Sequence, residues 1–126
     1  YGPFRDAVGS KNCLKNSSKN TYQMDFRNAK EAISEVGLDI SEGTDAIIIK
    51  PGMPYLDVIS LIKKEFNIPI IAYQVSGEYS MLKMAGEKGI FNTDQAFIES
   101  FISFKRAGAC SIITYAAIEI AEKLIK

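Results

Sequence analysis

Ala46-Ile47-Ile48-Ile49-Lys50-Pro51-Gly52 is a short β-branched run that stops on a lysine, a proline and a glycine. Such a run, without polar alternation, predicts a strand buried on both faces, as in parallel sheets. The pattern recurs downstream. Ile68 to Val75 reads as a second buried strand, with Pro69 tolerated near its start. Cys110 to Tyr115 reads as a third.

Helical spacing fills the intervals. Asp25 is a candidate N-cap, followed by Phe26, Ala29, Ile33, Val36 and Ile40, with Gly43 as a stop. Tyr55, Ile59, Ile62 and Phe66 mark the next helical face, and a further helix is expected over about Tyr79 to Lys88, closed by Gly89. Asn92 or Thr93 caps another, which carries Phe97, Phe101 and Phe104 and ends at Gly108. Ile118 to Ile125 forms the last. Strands alternating with helices predict an α/β fold with a parallel sheet and helical crossovers. Three βα units are too few for a doubly wound sheet and match the end of a (β/α)8 TIM barrel. The expected organisation is one partial-barrel domain over 1–126, with a loop over 1–24 and three βα units over 25–126. The chain opens on Tyr1 rather than Met, inside a loop-like YGPFRD segment, and reads as a piece of a longer protein.

The loop assignment for 1–24 rests on Gly2, Pro3, Gly9, Ser10, Asn12, Asn16, Ser17, Ser18 and Asn20. Lys11, Lys15 and Lys19 lie there with no acid between Ala7 and Met24, and Arg5 sits just before. That pattern fits either a solvated loop or a mobile lid that meets an anionic substrate.

Of the 126 residues, 47% are hydrophobic and 24% charged, with no net charge, which is a soluble globular profile without a nucleic-acid footprint. No apolar stretch is long enough to span a membrane, and no signal peptide opens the chain. Histidine is absent, so chemistry must rest on Lys, Tyr, Arg, Ser or carboxylates. Cys13 and Cys110 form no CxxC pair, which fits a reducing, cytoplasmic setting.

Function in parallel α/β folds gathers at the carboxyl ends of strands. Here those ends are Lys50, Ser76 and Tyr115. A lysine after three isoleucines either snorkels to water or is partly desolvated. Desolvation favours the neutral amine, a nucleophile for carbonyls. Ser76 is either an N-cap or part of an anion-binding helix start, and Gly77 would let a ligand approach the backbone. Tyr115 is either a hydrogen-bonded core phenol or a donor to a substrate carboxylate. Tyr73 reads equally as barrel filling or site wall. Arg5 is either solvated or a bidentate carboxylate partner. Jointly these placements favour Schiff-base chemistry on an anionic carbonyl compound.

Several motifs together resemble one family. YGPFRDA (1–7), TYQMD (21–25), IIIKPG (47–52), AYQVSGEYSM (72–81), FKRAGA (104–109) and IITYAA (112–117) look like porphobilinogen synthase, also called 5-aminolevulinate dehydratase. The resemblance covers essentially the whole chain in order. It implies a (β/α)8 barrel, assembly into homo-octamers, and condensation of two 5-aminolevulinate molecules into porphobilinogen with loss of two waters, in tetrapyrrole and haem biosynthesis. By resemblance, Lys50 matches the lysine that forms the Schiff base. Ser76 and Tyr115 match groups that hold that substrate's carboxylate. Arg5 and Gln23 match residues that bind the second substrate's carboxylate from the lid, and Phe4 and Tyr73 match wall positions. Glu35 matches a position that helps bind an allosteric magnesium in some members. Lys19 stands where the family usually has an arginine, which keeps the charge but not the bidentate fork. The family's second active-site lysine and its metal-binding cluster lie upstream of the YGPFR motif, so the sequence leaves zinc or magnesium at the active site open. Two other readings stand beside this one: a non-catalytic barrel fragment, whether a gene relic or half of a split enzyme, and a Schiff-base aldolase on another barrel.

Overall fold

The computed structural model describes residues 2–9 and 23–125. Helix α1 spans Gly2–Val8 and α2 spans Ala29–Ser41. Strand β1 (Ile47–Ile49) leads through a 3-10 turn at Met53–Tyr55 into α3 (Leu56–Glu65). Strand β2 (Ile70–Tyr73) leads into α4 (Ser76–Glu87) and α5 (Thr93–Ala107), and β3 (Ser111–Ile113) into α6 (Ala117–Leu124). The three strands form one parallel sheet in the order β1-β2-β3.

Register decides what each strand buries. Ile49 pairs with Ala72, and Ala72 with Ile112. This row and its period-two neighbours Ile47 and Ile70 face the helices. They join Ala32 and Val36 of α2, Val58, Ile59 and Ile62 of α3, Phe104 of α5 and Ala109 in the main core. A smaller cluster under α6 holds Phe97, Ala116 and Ile120, with Tyr79 and Leu82 against it.

The opposite face is open. Ile48, Ser111 and Ile113 are exposed and Ile71 is half-buried. The expectation that all three strands are buried on both faces is therefore corrected. Helices cover one face, and among the described residues no second layer covers the other. β3 is also an edge strand, shorter than the expected 110–115.

Two further expectations change. Residues 2–8 are helical rather than loop. Pro3 lies in the first turn of α1, where its missing N–H breaks no helical hydrogen bond. Asp25 caps nothing: its carboxylate accepts from the Arg27 backbone N–H at 2.9 Å and from the Arg27 guanidinium, and α2 begins only at Ala29. That pairing, led by the side-chain hydrogen bond, holds the Asp25 carboxyl down at about 2. Lys11, Lys15, Lys19 and Cys13 lie outside the described residues, so the lid reading does too.

The turn after β1 depends on a glycine. A Cβ on Gly52 would sit 2.8 Å from Phe104 Cε1 and 3.3 Å from the Tyr73 carbonyl oxygen. The fully buried Phe104 ring thus fills the space beneath the residues that follow Lys50. Phe104→Ala is expected to cost about 3–5 kcal/mol of stability, read as a lowered urea midpoint followed by circular dichroism.

Candidate functional site

The open face of the sheet gathers the polar strand ends. Lys50 lies one residue beyond the last β1–β2 register pair, on the same side as Ile48. Tyr73 pairs with Ile113, and Tyr115 follows two residues later on that side. The Gly52 N–H donates to the Tyr73 carbonyl at 2.9 Å, which carries the pairing past the end of β1. The Lys50–Pro51 bond is cis.

Lys50, Tyr73 and Tyr115 come together here. Lys50 Nζ lies 6.0 Å from the Tyr73 ring centroid, within cation–π reach. The Tyr73 and Tyr115 phenol oxygens are 3.5 Å apart, a long contact in which either can donate. That contact, with burial adding to it, pushes the Tyr73 phenol above its ordinary value of 10.0. Tyr115 also packs on Tyr79, with ring centroids 5.9 Å apart, and Tyr79 packs on Phe97 at 5.6 Å.

Lys50 is exposed, which fits the first of its two readings, a lysine that reaches water, rather than a desolvated amine. Three apolar residues precede it, but only two of them, Ile47 and Ile49, point into the core, and the face on which Lys50 lies is uncovered.

Ser76 is the first residue of α4, and the N-cap is Val75. The plain N-cap reading of Ser76 is thus corrected, and the residue sits half-buried at a helix start. Gly77 is filled differently from expectation: a Cβ there would collide with the Phe4 ring and reach 3.4 Å from Ala7 Cβ. Its bareness admits α1 rather than a ligand, and so brings Phe4 to the site rim. The Arg5 guanidinium donates to Gln23 Oε1, joining the two residues matched to a second carboxylate site. Gln23 and Lys50 also line one cleft, which Ile48 and Glu35 share. Glu35 is exposed on α2, and among the described residues no three Asp, Glu, His or Cys side chains gather to hold a metal.

Two buried polar residues beside the site escaped the sequence reading. Glu78, fully buried at the third position of α4, accepts the backbone N–H groups of Val75 at 2.6 Å, Met53 at 2.6 Å and Gly52 at 3.3 Å. Burial pushes its carboxyl above the ordinary value of 4.5, against the pull of those three donors. Its spacing from Val75 is that of the acidic half of a capping box, a visible signal. Its reach to residues 52 and 53 had none.

Gln74 is fully buried on the helix side. Its amide donates to Ser100 Oγ at 3.0 Å and its carbonyl accepts from Thr114 Oγ1 at 2.7 Å. Thr114 Oγ1 in turn accepts the Ala116 N–H at 3.1 Å, so the two strand ends that carry Tyr73 and Tyr115 are tied by side chains as well as by the ladder.

Comparison with known proteins shows the family to which the chain is similar. The family model described as delta-aminolevulinic acid dehydratase matches residues 1–123. A delta-aminolevulinic acid dehydratase of Bradyrhizobium diazoefficiens is 54% identical over 124 residues, covering 98% of this chain and 35% of the relative. One from Archaeoglobus fulgidus is 51% identical, covering 98% of this chain and 38% of its own length. The crystal structure of the Toxoplasma gondii ME49 enzyme, in complex with the reaction product porphobilinogen, superposes with a TM-score of 0.88 at 48% identity. That match covers 98% of this chain and 35% of the other. The chain therefore spans about a third of the length of these relatives.

Thr114→Val keeps the shape but leaves Gln74 Oε1 and the Ala116 N–H without their partner. The expected cost is about 1–3 kcal/mol, measured as the loss of unfolding free energy in urea at neutral pH.

Proposed function

This chain belongs to the delta-aminolevulinic acid dehydratase family, and on that premise we propose that it contributes the Schiff-base side of a site that condenses two 5-aminolevulinate molecules into porphobilinogen. The observation that carries the reading is Lys50 at the carboxyl end of β1, on the open sheet face with the Tyr73 ring beside it. Its fold is α/β, three parallel strands with their helices, as expected of part of a (β/α)8 barrel.

The chemistry follows from the groups present. The Lys50 amine adds to the ketone of the first 5-aminolevulinate, and loss of one water leaves an iminium. The iminium withdraws electrons from the adjoining carbon and acidifies its protons, which prepares that carbon for bond formation with the second substrate. Ser76 at the start of α4 and the Tyr115 hydroxyl hold the first substrate's carboxylate. Arg5 and Gln23, already joined to each other, hold the second substrate's carboxylate. Lys19 adds positive charge from the lid, and Phe4 and Tyr73 serve as walls. Exclusion of water by a closing lid supplies the desolvation that the open face does not.

On the same reading, the full-length protein is a cytoplasmic lyase of tetrapyrrole biosynthesis that assembles as a homo-octamer. No helix among the described residues is long and apolar enough to cross a membrane. The family resemblance puts an allosteric magnesium at Glu35. Glu35 has no cluster of partner ligands among the described residues, so those residues do not form a cation site by themselves, and no step is routed through a metal. The exposure of Lys50 favours a second reading, in which this segment is non-catalytic until the rest of a barrel covers it.

Borohydride reduction in the presence of 5-aminolevulinate, followed by intact and peptide mass spectrometry, separates the two. The expected result is a reduced adduct on Lys50 that is absent from Lys50→Ala, with circular dichroism showing both folded. A folded wild-type chain without an adduct would favour the second reading.

A further inference from the structure

The residues on either side of the site's first half meet in one buried carboxylate. Glu78 takes the N–H of Val75, immediately before Ser76, and the N–H groups of Gly52 and Met53, two and three residues after Lys50. Gly52 has a second acceptor, the Tyr73 carbonyl, whereas for Met53 the Glu78 carboxylate is the acceptor seen. The turn at Gly52 and Met53 and the backbone at Val75 are therefore pinned to one group. Capping α4 does not require this. An N-terminal cap needs only the Val75 contact, and a surface carboxylate would make it without being buried. Burying a carboxylate is costly unless its lone pairs are filled, and here they are filled by the turn that follows Lys50.

We propose that Glu78 is a positioning residue for the reaction, fixing the backbone that carries Lys50 relative to the backbone that carries Ser76. The inference rests on the reading of Lys50 as the Schiff-base residue. It deepens that reading by assigning the spacing between amine and carboxylate holder to a group that touches neither substrate. A ketone and a carboxylate on one small molecule must meet amine and hydroxyl at once. A shift of the Lys50 turn by an ångström misplaces one of them.

Glu78→Asp separates positioning from capping. The shorter carboxylate still meets the Val75 N–H within its own helix start but does not reach Gly52 and Met53. Glu78→Gln keeps the length and retains at most two of the three bonds, because its amide faces a donor with a donor. Both variants are assayed for the borohydride-trapped Lys50 adduct over a range of 5-aminolevulinate concentrations, well below their melting temperatures. Amide hydrogen exchange at Met53 is followed in parallel.

The expected result is a folded Glu78→Asp protein in which adduct formation slows by about 10- to 100-fold and half-saturation moves to higher 5-aminolevulinate. Met53 exchange should be slow in the wild type and fast in the variant. A purely structural role would lower the melting temperature and leave the adduct rate and half-saturation of the folded variant unchanged, and that outcome overturns the proposal. If the wild type itself forms no adduct, the Schiff-base reading fails on this chain. The clamp is then judged on Met53 alone: slow exchange lost in Glu78→Asp keeps it, and fast exchange in the wild type removes it. Should Glu78→Asp not fold, Glu78→Gln and wild-type Met53 exchange decide by the same criteria.

Discussion

The parallel register that aligns Ile49, Ala72 and Ile112 is the constraint on which the rest of the structure depends. A strand alternates its side chains, so one register sorts every residue of the sheet into two rows. The row with Ile47, Ile49, Ile70 and Ala72 enters the helical core. The other row must then carry Ile48, Lys50, Ile71, Tyr73, Ile113 and Tyr115. A slip of one residue in β1 would bury Ile48 and Lys50 and expel Ile47 and Ile49. That exchange replaces two core isoleucines by an isoleucine and an ammonium, and burying an unpaired ammonium is far costlier than exposing an isoleucine. The energetics of the core thus place Lys50 on the open face without any interaction of the lysine itself.

The buried polar groups refine this placement. Backbone ladders end with the strands, and the site residues lie just past those ends. Gln74, Ser100 and Thr114 continue the cross-strand connection with side-chain hydrogen bonds beneath Tyr73 and Tyr115. Glu78 does the same for the turn after Lys50. Buried polar groups with filled partners favour one arrangement strongly, because every alternative leaves a donor or acceptor unmet. Apolar packing sets which face the site occupies, and these few polar groups set where on that face the turns lie.

Much of this was legible in the sequence, for reasons that differ by element. The cores of β1 and β2 were readable because β-branched runs bounded by Gly, Pro and polar residues have few other interpretations. Lys50 was readable as a strand-end position, whereas β2 and β3 stop at Tyr73 and Ile113, short of the expected Val75 and Tyr115, so Ser76 opens a helix and Tyr115 sits in the turn after its strand. α1 was not readable, since Gly2 and Pro3 are loop signals in isolation and the packing of Phe4 over Gly77 is a tertiary event. Asp25 had the composition of a cap, but the nearby Arg27 captured its carboxylate. The contacts of Gln74 and Glu78 across 26 and 25 residues carry no local pattern at all. Single-sequence reasoning sees a residue's type and its neighbours in the chain, and a buried hydrogen bond is defined by a partner far away.

Exposure of Lys50 shows where position and reactivity separate. Position is settled by register, by the Gly52 N–H to Tyr73 carbonyl bond and by the Glu78 contacts, all of which lie within this chain. Reactivity toward a ketone depends on something else, the exclusion of water from around the amine. The helix-covered side of the sheet supplies nothing toward that, since it faces away from the amine. Whatever desolvates Lys50 must cover the Ile48–Ile71–Ser111 face, and a cover there also shields the exposed isoleucines Ile48 and Ile113. Burial of that apolar surface would provide the free energy that holds the cover in place. The same surface that leaves this sheet half finished is therefore the surface whose closure, on the proposed Schiff-base reading, would take water from the Lys50 amine.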